Sequence, residues 1–183
     1  MRKVNAVVTA LIMVLFTVHM VRGILVLTGM TAGGGAIYTA LTHLLLTLIA
    51  VHVVLSVSLT VKTLFTSRRA GVLYLKPNRL FWIRRISGFA LMLFLISHIL
   101  IFRGTTASGA YRLNLFGGAQ LVTQLLLAAS LLVHLIGNIS PLRIALGIED
   151  RRAFRTDLLL VLAILLLLAG AAFVVYYIRW STF

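Results

Sequence analysis

Five stretches of this chain contain no Asp, Glu, Lys or Arg: residues 4–21, 35–61, 86–102, 113–142 and 158–178. In hydrocarbon no backbone N–H or C=O can go unbonded, so a run of about 20 apolar residues has one stable outcome, a membrane-spanning helix. With their flanks, each of the five stretches reaches that length. The chain is 183 residues long, 61% hydrophobic and only 11% charged, which leaves too little polar sequence for a soluble domain beside the spans. The sequence therefore predicts a single transmembrane domain, an all-α integral membrane bundle with helices near 4–29, 35–64, 80–103, 113–142 and 157–179. The first run follows a basic Met1-Arg2-Lys3 start, as a signal peptide would, but it is too long for a signal core, and the helix is expected to be retained.

A net charge of +14 in another chain would suggest nucleic acid; here the basic residues flank the spans and report topology. With the N-terminus inside, thirteen fall on the inner side: Arg2 and Lys3, then Lys62, Arg68, Arg69, Lys76, Arg79, Arg84 and Arg85, then Arg143, Arg151, Arg152 and Arg155. Four fall outside: Arg22, Arg103, Arg112 and Arg179. The bias predicts N-terminus in and C-terminus out. The basic inner loops serve equally as ordinary topology signals, as contacts for anionic lipid, or as a docking platform for a soluble partner.

Four of the five histidines lie in four different spans: His19, His52, His98 and His134. An ionisable side chain in hydrocarbon is costly and normally faces the bundle interior to bind something. There is no cysteine, which excludes thiolate metal sites, c-type haem attachment and iron–sulfur ligation by this chain. Depth sorts the histidines. His19 lies about 22 Å along the first helix and His98 thirteen residues beyond Arg85, both in the outer half; His52 is ten residues before Lys62 and His134 nine before Arg143, both in the inner half. The spacing repeats, 33 residues from His19 to His52 and 36 from His98 to His134, so helices one and two form one hairpin and helices three and four another. Two imidazoles per iron, stacked in two layers, suit two haems that transfer electrons and bind no oxygen. A four-helix haem-binding core with a histidine-free fifth helix at its periphery accommodates this arrangement. Zinc is a weaker rival, because a zinc site would gather its ligands at one depth. A non-haem transporter or assembly protein that uses polar residues as helix glue is a third reading. His43 falls near the outer end of helix two and reads as interfacial.

Gly88 lies roughly 15 Å along helix three from His98, where a missing side chain would admit either the inner haem or a neighbouring helix. For a quinone slot the polar candidates are Gln120 and Gln124 in helix four and Asn114 at its entrance; interhelical hydrogen bonding explains them equally well.

Phe81-Trp82-Ile83-Arg84-Arg85-Ile86-Ser87-Gly88, with His98 ten residues beyond the glycine, resembles the Arg-Ile-Ser-Gly helix of the cytochrome b membrane-anchor subunits of succinate dehydrogenases and fumarate reductases. His134-Leu135-Ile136-Gly137-Asn138, with Gly147-Ile148 thirteen residues on from the histidine, is similar as well. The resemblance is to the single-chain, five-helix, two-haem type. It implies two haem b groups, with His52 and His134 on the inner haem and His19 and His98 on the outer one. It implies Arg85 and Ser87 near propionates or quinone at the inner face, quinone (menaquinone) as the membrane substrate, and a flavoprotein and an iron–sulfur subunit docked on the inner side. It also implies the cytoplasmic membrane of a prokaryote. The chain departs from that pattern in its acids: only Glu149, Asp150 and Asp157 are present, all on the inner side, so a transmembrane proton relay through Glu is not expected. A small two-haem relay serving a different redox partner is the alternative.

Overall fold

A computed structural model describes residues 1–71, 79–103, 105–107, 110–112, 116–148 and 152–181. Five helices dominate it: α1 (Arg2–Leu27), α2 (Ala36–Arg69), α3 (Arg79–Phe102), α4 (Gly118–Leu146) and α5 (Arg152–Ser181). All five are long and apolar enough to cross a membrane, and the protein is a multi-pass, all-α membrane bundle. Short strands β1 (Thr105–Ala107) and β2 (Ala110–Arg112) pair antiparallel, Thr106 opposite Tyr111, where the sequence suggests only a polar loop.

The helix ends have local causes. Helix α1 stops at Leu27 because Gly29 takes φ 78°, and the N–H groups of Gly29 and Met30 turn back to Val26 and Leu25 at 3.0 and 2.9 Å. Gly147, at φ 73°, closes α4 in the same way, with Gly147 and Ile148 bonded to Ile144 and Arg143. Glycine alone adopts this left-handed conformation without strain, and two orphan carbonyls are satisfied each time. Helix α4 begins at Gly118, not near 113, because the Gln120 side chain folds back to accept the Gly117 N–H at 3.0 Å and caps the helix there. It runs past Leu142 to Leu146, and Arg143, read from sequence as a flanking charge, is 3% exposed. Helix α2, at 34 residues, is about 51 Å long and must project beyond a hydrocarbon core of about 30 Å.

Many hydroxyls in the spans bond within their own helix, which removes them from lipid. Thr42, Thr47, Ser58, Thr60 and Thr63 each donate to the carbonyl four residues back. Large apolar side chains such as Val14, Val54 and Leu167 point outward and are 65–74% exposed, as a lipid-facing surface requires. At the outer turn, Arg22 does more than mark topology: it donates to Thr31 Oγ1 and to the Ala32 carbonyl and lies 4.4 Å above the Tyr38 ring, pinning the α1–α2 connection.

The helices pack as two hairpins, α1 with α2 and α3 with α4, and the hairpins meet through direct packing of α1 on α4 and through α5, which touches both of those helices. Sequence reasoning puts the histidine-free helix at the periphery; in the structure α5 lies against both α1 and α4. It is also the most buried span, 28% of its apolar window against 6–11% elsewhere, through Leu162, Leu166, Ala172 and Phe173. Among the described residues no Cα of α2 comes within 8 Å of α3 or α4, and none of α1 comes that close to α3. Directly packed helices have axes only about 8–10 Å apart, so α2 stands away from α3 and α4, and α1 from α3, while α1 and α4 pack against each other and join the two hairpins.

Candidate functional site

All four intramembrane histidines are half-buried, and the outer two come together. The rings of His19 on α1 and His98 on α3 have centroids 6.1 Å apart with planes 75° to each other, although their helices make no close backbone approach. Two imidazoles bound through one nitrogen each to a single metal, at metal–nitrogen bonds of ~2 Å, place their centroids about 4.5 to 6.3 Å apart as the angle between the bonds opens from a right angle to a straight line. The observed spacing suits that arrangement.

The inner two occupy the same depth on facing hairpins. His134 on α4 lies within electrostatic reach of His52 on α2, and no ring contact joins them among the described residues. His52 Nε2 instead lies 3.4 Å from Ser56 Oγ, one turn along its own helix.

Each of three histidines has its Nδ1 within hydrogen-bond distance of a side-chain oxygen on a neighbouring helix. The Thr9 hydroxyl gives its one proton to the Asn5 carbonyl at 2.7 Å, so its lone pair faces His52 Nδ1 at 3.0 Å and takes that ring's proton. Ser87 Oγ lies 3.2 Å from His134 Nδ1 and 3.3 Å from the Arg84 carbonyl. Gln124 Oε1 accepts from His98 Nδ1 at 2.8 Å. With the proton on Nδ1, which the Gln124 carbonyl oxygen accepts at His98 and the Thr9 lone pair at His52, Nε2 keeps its own lone pair. That is the pattern of metal-ligating histidine, in which an acceptor for the second ring nitrogen fixes both tautomer and orientation.

These bonds revise several roles expected from sequence. Ser87, 5% exposed, orients His134 and is not free to contact a propionate. Gly88 has the His134 ring over it: a Cβ there would lie 3.3 Å from His134 Cε1, so the glycine admits the imidazole. Gln124, fully buried, is the partner of His98, and the Gln120 Oε1 caps α4 by accepting the Gly117 N–H. Asn114, Lys76 and Arg151 lie outside the described residues. His43 is exposed at the outer end of α2 and donates from Nδ1 to the Thr39 carbonyl at 2.8 Å.

Arg84 and Arg85, adjacent in sequence, diverge. Arg84 Nε donates to the Gly137 carbonyl at 2.7 Å and ties α3 to α4. Arg85 lies 4.7 Å above the Phe81 ring and has a buried Nε with no hydrogen-bond partner. It also lies within electrostatic reach of His134. Its Nε is open to an anionic group in the inner half of the bundle.

The outer site has an aromatic wall that sequence reasoning missed. Phe102 stacks 5.0 Å from His98, Phe173 lies 6.5 Å from His98 and 6.1 Å from Phe102, and Phe116 and Tyr176 complete the cluster at 5.0 Å from each other. Helix α5 supplies Phe173 and Tyr176, so the helix without a histidine still builds the site. Among the described residues no three His, Cys, Asp or Glu come together. The donors come in twos. No family model, curated protein or solved structure matches the chain.

Proposed function

We propose that this chain is a two-haem b membrane anchor that passes electrons between a soluble flavoprotein and iron–sulfur partner on its inner face and quinone in the membrane. The observation that carries the proposal is the pair His19 and His98, with ring centroids 6.1 Å apart on helices α1 and α3, whose backbones make no close approach. His52 and His134 are the matching inner pair. His19 and His98 would hold the outer haem, and His52 and His134 the inner one once the His52 ring turns from Ser56.

Bound haem supplies a one-electron couple inside the bilayer. The chain does the rest. Gln124 and Thr9 hold His98 and His52 with Nε2 unprotonated, and Ser87 lies against His134 Nδ1. Phe102, Phe173 and Phe116 exclude water from the outer site, and Arg85 offers a charge-assisted donor to an anionic substituent at the inner one. Two axial nitrogens per iron leave no position for oxygen chemistry. The Arg84-Arg85-Ile86-Ser87-Gly88 run with His98 supports succinate or fumarate as the dicarboxylate handled by the soluble partner, and the cytoplasmic membrane of a prokaryote as the location.

A second reading, a two-haem relay for a different dehydrogenase, is favoured by the acids: the three in the chain are Glu149, Asp150 and Asp157, none within the membrane interior. A reduced-minus-oxidised spectrum of the purified chain, with the haem-to-protein ratio, tests the proposal. A ratio near two supports it; absence of Soret absorption overturns it in favour of a non-haem bundle. Copurification of a flavoprotein with an iron–sulfur subunit supports the dicarboxylate anchor, and a different soluble partner supports the second reading.

A further inference from the structure

The Nδ1 acceptor of His98 is itself held in one orientation. Thr123 Oγ1 donates its single proton to the Gln120 carbonyl at 2.7 Å, so the same oxygen can only accept from its other neighbour, Gln124 Nε2, at 3.3 Å. The Gln124 amide must therefore turn its NH2 to Thr123 and its Oε1 to His98, where the bond is 2.8 Å. A flipped amide would set two acceptors against each other at Thr123 and two donors against each other at His98. Gln124 is 0% exposed, so no water stands ready to repair either clash. Of the three side chains against a histidine Nδ1 it is the only carboxamide, and it makes the shortest of the three contacts.

We infer that Thr123 and Gln124 form a polarity lock that positions His98 as a metal ligand: the chain Gln120 carbonyl, Thr123 hydroxyl, Gln124 amide, His98 Nδ1–H fixes the tautomer and aims the Nε2 lone pair at the space shared with His19. Gln124 is a positioning residue acting through His98. The inference rests on the haem reading above. A full hydrogen bond from Nδ1–H raises the basicity of the ligand and favours the oxidised metal, so the lock also sets the redox potential of the outer centre.

The test is equilibrium titration of the full chain with ferric haem b, followed by potentiometric titration and far-ultraviolet circular dichroism. Gln124→Leu, close in volume, removes the acceptor; outer-haem affinity is expected to fall about 10–100-fold while the inner haem and the helical content stay as in the parent. Gln124→Glu keeps an acceptor and makes it anionic, so occupancy is expected to be retained with the outer potential shifted negative. Should Gln124→Leu fail to assemble, Thr123→Val leaves the glutamine in place but frees the amide to flip, and it is expected to move the outer potential and weaken outer binding alone. Two haems in the parent with unchanged affinities and potentials in Gln124→Leu, or in Thr123→Val where that variant stands in, would overturn the lock and leave the proposed function standing. A parent that binds no haem overturns both.

Discussion

Arg84 donates its Nε–H to the backbone carbonyl of Gly137 at 2.7 Å, and the reason lies one turn further along α4. Residue 141 is proline and has no N–H, so the Gly137 carbonyl lacks the helical donor it would otherwise receive. Gly137 has no Cβ to hold the arginine off; one placed there would meet Arg84 Cγ at 3.4 Å. The bond is charge-assisted and part-buried. Arg84→Leu is therefore expected to destabilise the α3–α4 hairpin by about 1–2 kcal/mol. Pro141→Ala supplies the missing N–H, so the same arginine substitution should cost less in that background. Unfolding in mixed micelles across the four-protein cycle measures the coupling, and equal costs in both backgrounds would refute it.

His98→Ala is expected to remove the outer haem and leave the inner one largely in place, because the two sites draw on separate pairs of helices. His52→Ala should do the reverse. Haem-to-protein ratios and reduced difference spectra distinguish these outcomes; loss of both haems from each variant would contradict the pairing.

Thr9→Val preserves shape and deletes the acceptor that holds the His52 ring. Affinity for the inner haem should fall roughly tenfold, and Thr9→Ser should restore it. Haem titration reads the change, and a valine variant with parental inner affinity would show that Thr9 only packs.

Gly88→Ala would place a methyl group 3.3 Å from His134 Cε1, closer than ordinary contact. The imidazole must shift by a few tenths of an ångström, so a perturbed inner-haem spectrum with an unchanged outer one is the expected result. Gly88→Leu should abolish inner binding, because the ring cannot share that volume with a larger side chain. A parental inner spectrum in both variants would count against the placement of His134.

Much of the architecture was legible because hydrocarbon permits so few backbone structures. The five spans follow from the absence of charge over 4–21, 35–61, 86–102, 113–142 and 158–178, and the structure has a helix through each. Ends were less legible, since loss of hydropathy does not stop a helix: α2 continues to Arg69 and α4 passes Arg143 before Gly147 turns it. Of the site, the depth of each histidine could be counted along its helix, and His19 does face His98. The roles of Gln124, Thr9 and Ser87 could not, since each acts on a residue 26 to 47 positions away on another helix. One signal was available and went unused: a proline four residues after Gly137 announces an unbonded carbonyl that a nearby cation can fill.

The sequence by itself determined how many times the chain crosses the membrane, and it determined the depth of each histidine, because rise per residue and the cost of charge in lipid are properties of a single helix. Only the tertiary structure decided that α5 packs against both hairpins and walls the outer site. The same is true of which hydroxyl or amide oxygen lies against each Nδ1, and of Gln124 serving His98. Those facts depend on how one helix is rotated against another, and rotation is set by packing between surfaces that, in an almost uniformly apolar chain, leave no periodic trace in the sequence.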